Sequence, residues 1–148
     1  MQFYVLHKNP IENAKILPDY ALRKVNLREG WQMLSDIGHA HNLKWDNQNK
    51  EYNRYHPNTW RWWKNKECFN LFLLYYLECC LEYQRRFKKT NSFINQFLRF
   101  YCTNVDKLCK VIQNMSEEES IIQYILHRKR KFLTKNEIEK LNNCIVKR

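Results

Sequence analysis

Two glycines and three prolines in 148 residues leave this chain few ways to turn sharply. A β-sandwich or barrel needs a turn about every 8–12 residues, and those turns draw heavily on these two residue types. The shortage points instead to helices joined by a few longer loops, an all-α fold. A chain of this length can bury one real core and is too short for two domains of ordinary size. One single-domain helical bundle is therefore expected.

The apolar pattern supplies the helices. "FYVL" (3–6) reads as a strand-like lead-in that tucks the N-terminus against the core. "NPIE" offers Asn9 as N-cap, Pro10 at the first helical position and Glu12 at N3, which predicts a brief helix to about Leu17, with Pro18 interrupting it. From Asp19 to about Ala40 the pattern is helical, with Tyr20, Leu27, Trp31 and Leu34 in one arc at about 100° per residue. Glu29 falls roughly opposite, between Leu22, Val25 and Met33, with Gln32 and Asp36 extending a polar line. The bland reading of Glu29 is a surface carboxylate bridging to Arg28, Lys24 or another helix.

Residues 42–59, rich in Asn, read as a loop, and a loop of that length between helices is more often functional or mobile than neutral. The dense apolar stretch from Trp60 to about Phe87 predicts the long central helix of the bundle. Asn91 or Ser92 opens a further helix, "FINQFLRFYC". Capping boxes at Ser116 and Thr134 predict two more short helices, joined by the basic run "HRKRK" at 127–131. Residues 1–102 are thus expected to form the core and 103–148 to add C-terminal helices to the same domain.

Lysine and arginine outnumber aspartate and glutamate by 26 to 15, and a net charge of +11 draws a protein toward polyanions. Aromatics at 15% strengthen a nucleic-acid reading, because stacking and phosphate contact need both residue types together. The six cysteines show neither C-x-x-C pairs nor zinc-type histidine spacing, so no metal is expected, and reduced thiols suit a cytoplasmic setting. Two glycines cannot build a phosphate-cradling loop, and no G-x-S-x-G elbow is present, so neither a nucleotide cofactor nor serine catalysis is expected. The longest apolar run, "LFLLYYL", falls far short of the roughly 20 residues that cross a membrane.

Two groupings remain that can carry chemistry. One is Arg23, Lys24, Arg28 and Glu29 on the long helix. The other is His56, Trp60, Arg61, Trp62, Trp63 and Lys64, where aromatics and cations interleave and some of the tryptophans must belong to the core. Taken together, they resemble the small helical pyrimidine-dimer DNA glycosylases of the phage endonuclease V type and their uncharacterised relatives. The resembling residues are "FYVLHKNPIENAKILPDYALRKVNLREGWQML", above all Arg28-Glu29 and Gln32, then His56-Pro57 with Trp62 six residues after His56, then "ECCLEYQRRF" at 78–87. The pattern spans roughly residues 2–93.

The resemblance implies an endonuclease V-like helical domain that binds double-stranded DNA, extrudes a base and attacks C1′ of a damaged pyrimidine nucleotide with an N-terminal α-amine, forming a Schiff base. It assigns Glu29 to proton movement and sugar-ring opening, Arg28 to the adjoining phosphate and Met1 to the amine, with Arg23, Lys24, His56, Arg61 and Trp62 gripping DNA. This chain departs from the family at its start: the family trims Met before a small residue, whereas Gln2 is bulky, so Met1 is expected to stay. A buried Lys24 would be a second possible amine. The competing readings are a non-catalytic nucleic-acid or partner-binding protein on the same fold, and an enzyme acting on a modified base or nucleotide.

Overall fold

The computed structural model describes residues 2–113. Met1, the two capping boxes, the basic run at 127–131 and Cys144 lie outside them. All regular structure among the described residues is helical, as the turn-poor sequence predicts: α1 (Pro10–Ile16), a π-helical turn (Ala21–Asn26), α2 (Leu27–Ala40), α3 (Pro57–Trp60), α4 (Lys66–Phe87), α5 (Ser92–Thr103) and α6 (Val105–Gln113).

The first helix starts where its caps say it should. Asn9 Oδ1 accepts from the backbone N–H of Ile11 and Glu12 at 2.9 and 3.2 Å, satisfying donors that a helix start otherwise leaves open. At the far end Leu17 turns extended ahead of Pro18, as steric clash with the proline ring requires.

The strand-like lead-in at 3–6 is unpaired, there being no second strand among the described residues. Two fully buried asparagines take the partner's place. Asn26 accepts from Tyr4 N at 2.8 Å and donates to Tyr4 O at 3.1 Å. Asn13 accepts from Leu6 N and His7 N at 2.6 and 3.1 Å and donates to Tyr4 O at 3.2 Å. A main-chain segment without a ladder is thereby satisfied by side-chain amides, and Phe3 is driven into the core at 5% exposure.

The long helix predicted from Asp19 is continuous but not uniformly α. Its π-helical turn holds more residues per turn than a 100° projection assumes, so the wheel places residues before it wrongly relative to those after it. Leu27, Trp31 and Leu34 are fully buried as expected, whereas Tyr20 is 70% exposed, and Leu22, Val25 and Met33 enter the core too. The wide turn also buries Asn26 while leaving Arg23 and Lys24 exposed.

Helix α4 is the hub, packed against α1, the π-helical turn, α2 and α6. It begins later than the apolar run suggests: residues 61–65 form turns and Asn65 caps the helix, accepting from Cys68 N at 2.8 Å. Gly30 allows the approach of α2 to this hub. A Cβ there would lie 2.6 Å from a Tyr76 ring carbon and 3.0 Å from Phe3, both inside contact distance. Tyr76 also donates its hydroxyl to Leu27 O at 2.7 Å. Leu108 and Ile112 of α6 join the same apolar cluster as Trp31, Phe72 and Phe97.

At the C-terminal end of α4, Arg86 is structural. Its guanidinium donates to Ala14 O and Lys15 O at 2.9 and 3.0 Å, to Asp19 at 3.0 Å and to the buried Glu82 at 3.1 Å. It therefore caps the end of α1 and ties it to α4, which gives "EYQRRF" a structural reason for its charges.

His41, just past α2, meets Trp63 edge-on with ring centroids 5.5 Å apart, and its Nε2 has no hydrogen-bond partner among the described residues. Burial, reinforced by the Arg54 charge, pushes its pKa down to about 4. The unfolded chain takes up this proton near pH 6.5 and the folded chain does not, so stability present above that pH is lost as pH falls toward 4. Discounted for partial exposure, the loss is about 1–3 kcal/mol. His41→Phe keeps the aromatic contact and is expected to flatten the stability profile between pH 6.5 and 4.5 in urea unfolding; an unchanged slope would contradict the assignment.

Candidate active site

Glu29 sits in the first turn of α2, immediately after the π-helical turn, with its side chain 27% exposed. Gln2 N donates to its Oε2 at 2.5 Å, and the Arg28 guanidinium stands 3.8 Å from Oε1. The lashing of Tyr4 by Asn26 makes the first contact reproducible: Asn26 lies three residues before Glu29, so the helix that carries the carboxylate also fixes the backbone that reaches it. Glu29 thus occupies the wall of a cleft of about 350 Å³, shared with Arg28, Gln32, Asn49 and Tyr52. The cleft is shallow and opens broadly to the surface.

The opposite wall comes from the Asn-rich loop, which is fastened along the polar line of α2. Fully buried Asp36 accepts from Tyr52 N and Asn53 N at 2.8 and 3.2 Å. Gln32 donates to Asp36 and to Lys50 O, both at 2.9 Å, and accepts from Asn49 Nδ2 at 3.0 Å. Ser35 Oγ takes Asn49 N at 3.1 Å. Burial raises the Asp36 carboxyl above the usual range, while the Tyr52 and Asn53 N–H groups and Gln32 act against that shift. The polar line Gln32-Asp36 therefore holds the wall of the cleft, and leaves Tyr52 projecting with 70% exposure.

Arg28 also borders a second cavity, of about 220 Å³, formed with Arg23, Lys24, Tyr83 and the start of α5. Arg23 is steadied by its guanidinium lying 5.2 Å from the Phe87 ring centre. Three cations from one helical stretch thus converge on a surface next to Glu29. Lys24 is exposed, so it lacks the burial that would make it a substitute amine.

The second grouping lies elsewhere. His56 Nδ1 accepts from Asn58 N at 3.2 Å and caps α3, and His56 does not line the Glu29 cleft. Trp62 is corrected outright as a stacking surface: it is 7% exposed and packed against Phe3, Phe72 and Tyr75, with centroids 6.3, 5.7 and 6.2 Å away. Arg61 covers it, its guanidinium carbon 4.7 Å from the ring centre. A tryptophan placed just before a helix that carries the core is taken by the core. Asn49 and Tyr52 were not singled out by sequence, and the only signal for them was the composition of their loop. Met1 lies outside the described residues.

No family model matches this chain, and no curated protein or solved structure matches it.

Proposed function

We propose that this protein binds duplex DNA and acts as an N-glycosylase with lyase activity on damaged pyrimidines, through an N-terminal amine and Glu29. The observation that carries the reading is the hydrogen bond from Gln2 N to Glu29 in a cleft flanked by cations. The backbone nitrogen of Gln2 is thereby held at the Glu29 carboxylate, next to the chain terminus from which the reading draws its amine.

The amine attacks C1′ as the bond to the base breaks, and the base leaves with the bonding electron pair and takes a proton from water. Glu29 takes the amine's proton and returns it to the ring oxygen, opening the sugar to an iminium. The Glu29 carboxylate, having given its proton to the ring oxygen, takes one from C2′, and the 3′ phosphate leaves with the C3′–O electron pair. An α-amine, with its pKa near 7.7–8.0, is partly neutral and nucleophilic at physiological pH. Tyr52, exposed on the lip, replaces Trp62 as the surface on which a base stacks. Arg28, Arg23 and Lys24 hold phosphates alongside.

Borohydride reduction in the presence of duplex DNA with an abasic site tests this directly. A covalent protein–DNA adduct is expected. Salt-sensitive binding without an adduct would instead favour a non-catalytic DNA-binding protein.

A further inference from the structure

A third cleft, of about 360 Å³, opens where the N-terminal segment passes the turn between α3 and α4; Val5, Arg61, Trp62, Lys64 and Cys68 line it. It is separate from the Glu29 cleft, with which it shares no lining residue. Val5 lines this cleft, and three residues earlier in the same segment Gln2 N donates to Glu29. Three residues of extended chain span at most about 10 Å, so the Val5 wall of this cleft and the Gln2 contact to Glu29 are no further apart along the segment.

Its chemistry is that of an anion receptor. Arg61 has no carboxylate partner within salt-bridge distance among the described residues, and stacking on Trp62 restrains its planar fork. Lys64 lies 5.8 Å from the Trp60 ring centre, a second cation braced by an aromatic face. The indole Nε1 of Trp62, in a side chain more than nine-tenths buried, has no acceptor among the described residues. The site therefore rests on the two cations and not on this enclosed donor. Burial also lowers the Arg61 pKa, a shift that a bound anion would oppose.

We infer that the Arg61–Lys64 cleft is a phosphate site, occupied by a backbone phosphate of the same DNA that enters the Glu29 cleft. Charge, planar donors and a restrained side chain suit a phosphodiester, whose oxygens accept a bidentate guanidinium. The choice of DNA as the source rests on the proposed function, and the phosphate chemistry does not. A second cationic foothold, walled in part by Val5 of the N-terminal segment, would add to the hold of Arg23, Lys24 and Arg28 on the strand.

The test uses the full chain, wild type and the double variant Arg61→Gln/Lys64→Gln, with two readouts. The first is duplex affinity as a function of salt. Loss of two phosphate contacts is expected to reduce the slope of log K against log[salt] by about 2. The second is tryptophan fluorescence during titration with inorganic phosphate, where the wild type responds and the double variant does not. A phosphate response with an unchanged DNA slope would keep the phosphate site and overturn DNA as its occupant. No phosphate response and an unchanged slope would overturn the inference. If the wild type binds no DNA yet shows the phosphate response, the proposed function fails and the phosphate site stands.

Discussion

Glu29→Gln is expected to lower the rate of Schiff-base trapping by roughly 10²–10⁴-fold, the range over which a positioned proton-transfer group usually acts. The amide is close to isosteric and can still accept from Gln2 N through its oxygen, so the cleft should keep its shape. What it cannot do is take a proton from the amine or return one to the sugar oxygen. Duplex affinity should change little, because phosphate contact is assigned to Arg28, Arg23 and Lys24, which the substitution leaves in place. Single-turnover trapping and equilibrium binding on the same preparation separate the two effects. An unchanged trapping rate would return Glu29 to the bland reading, a carboxylate whose interest ends with its 3.8 Å approach to Arg28.

Asn26→Ala should have a large effect of a different kind, on stability and chemistry together. It removes the bonds to Tyr4 N and Tyr4 O, and the weaker contact to the Cys79 thiol at 3.6 Å. Asn13 still serves Tyr4 O, so the main loss is one unpartnered backbone N–H and a small buried void. A cost of about 2–3 kcal/mol follows, or roughly 5–10 °C in Tm for a chain of this size. Trapping measured well below that Tm should also fall by about tenfold or more, since the segment that carries the amine loses its station beside Glu29. Asn26→Asp keeps an acceptor for Tyr4 N and should lie between. Destabilisation with undiminished trapping would show that the segment finds Glu29 without Asn26.

Much of the helical layout was legible because caps and periodicity are local. Asn9, Asn65 and Asn91 each carry a side-chain oxygen that accepts from an open N–H of the helix behind it. Of these, Asn65 was hidden by the run of tryptophans ahead of it, which extended the apolar pattern past the true helix start. The π-helical turn was not legible: its residues, ALRKVN, carry no breaker, and the widened turn is recognised only by which side chains end up inside. The widened turn puts Tyr20 outside and Asn26 inside, against the 100° projection.

At the candidate site, Arg28 and Glu29 could be found because a charge pair interrupts an amphipathic helix, but their surroundings could not. The cleft's far wall depends on Asp36 accepting backbone N–H groups from residues 16 and 17 positions away, a long-range pairing that no local pattern announces. Trp62 shows the converse difficulty. Aromatic residues next to cations serve stacking surfaces and cores alike, and the contact of Phe3 with Trp62 across the whole N-terminal half decided for the core.

The central claim is that an N-terminal amine and Glu29 act as a pair, and the site of covalent attachment tests it most directly. After borohydride reduction with abasic-site DNA and nuclease trimming, peptide mass mapping should find the sugar remnant on the α-amine of the peptide that begins the mature chain. Attachment to Lys24 or another lysine, or no attachment under conditions where the protein binds the duplex, would contradict the account.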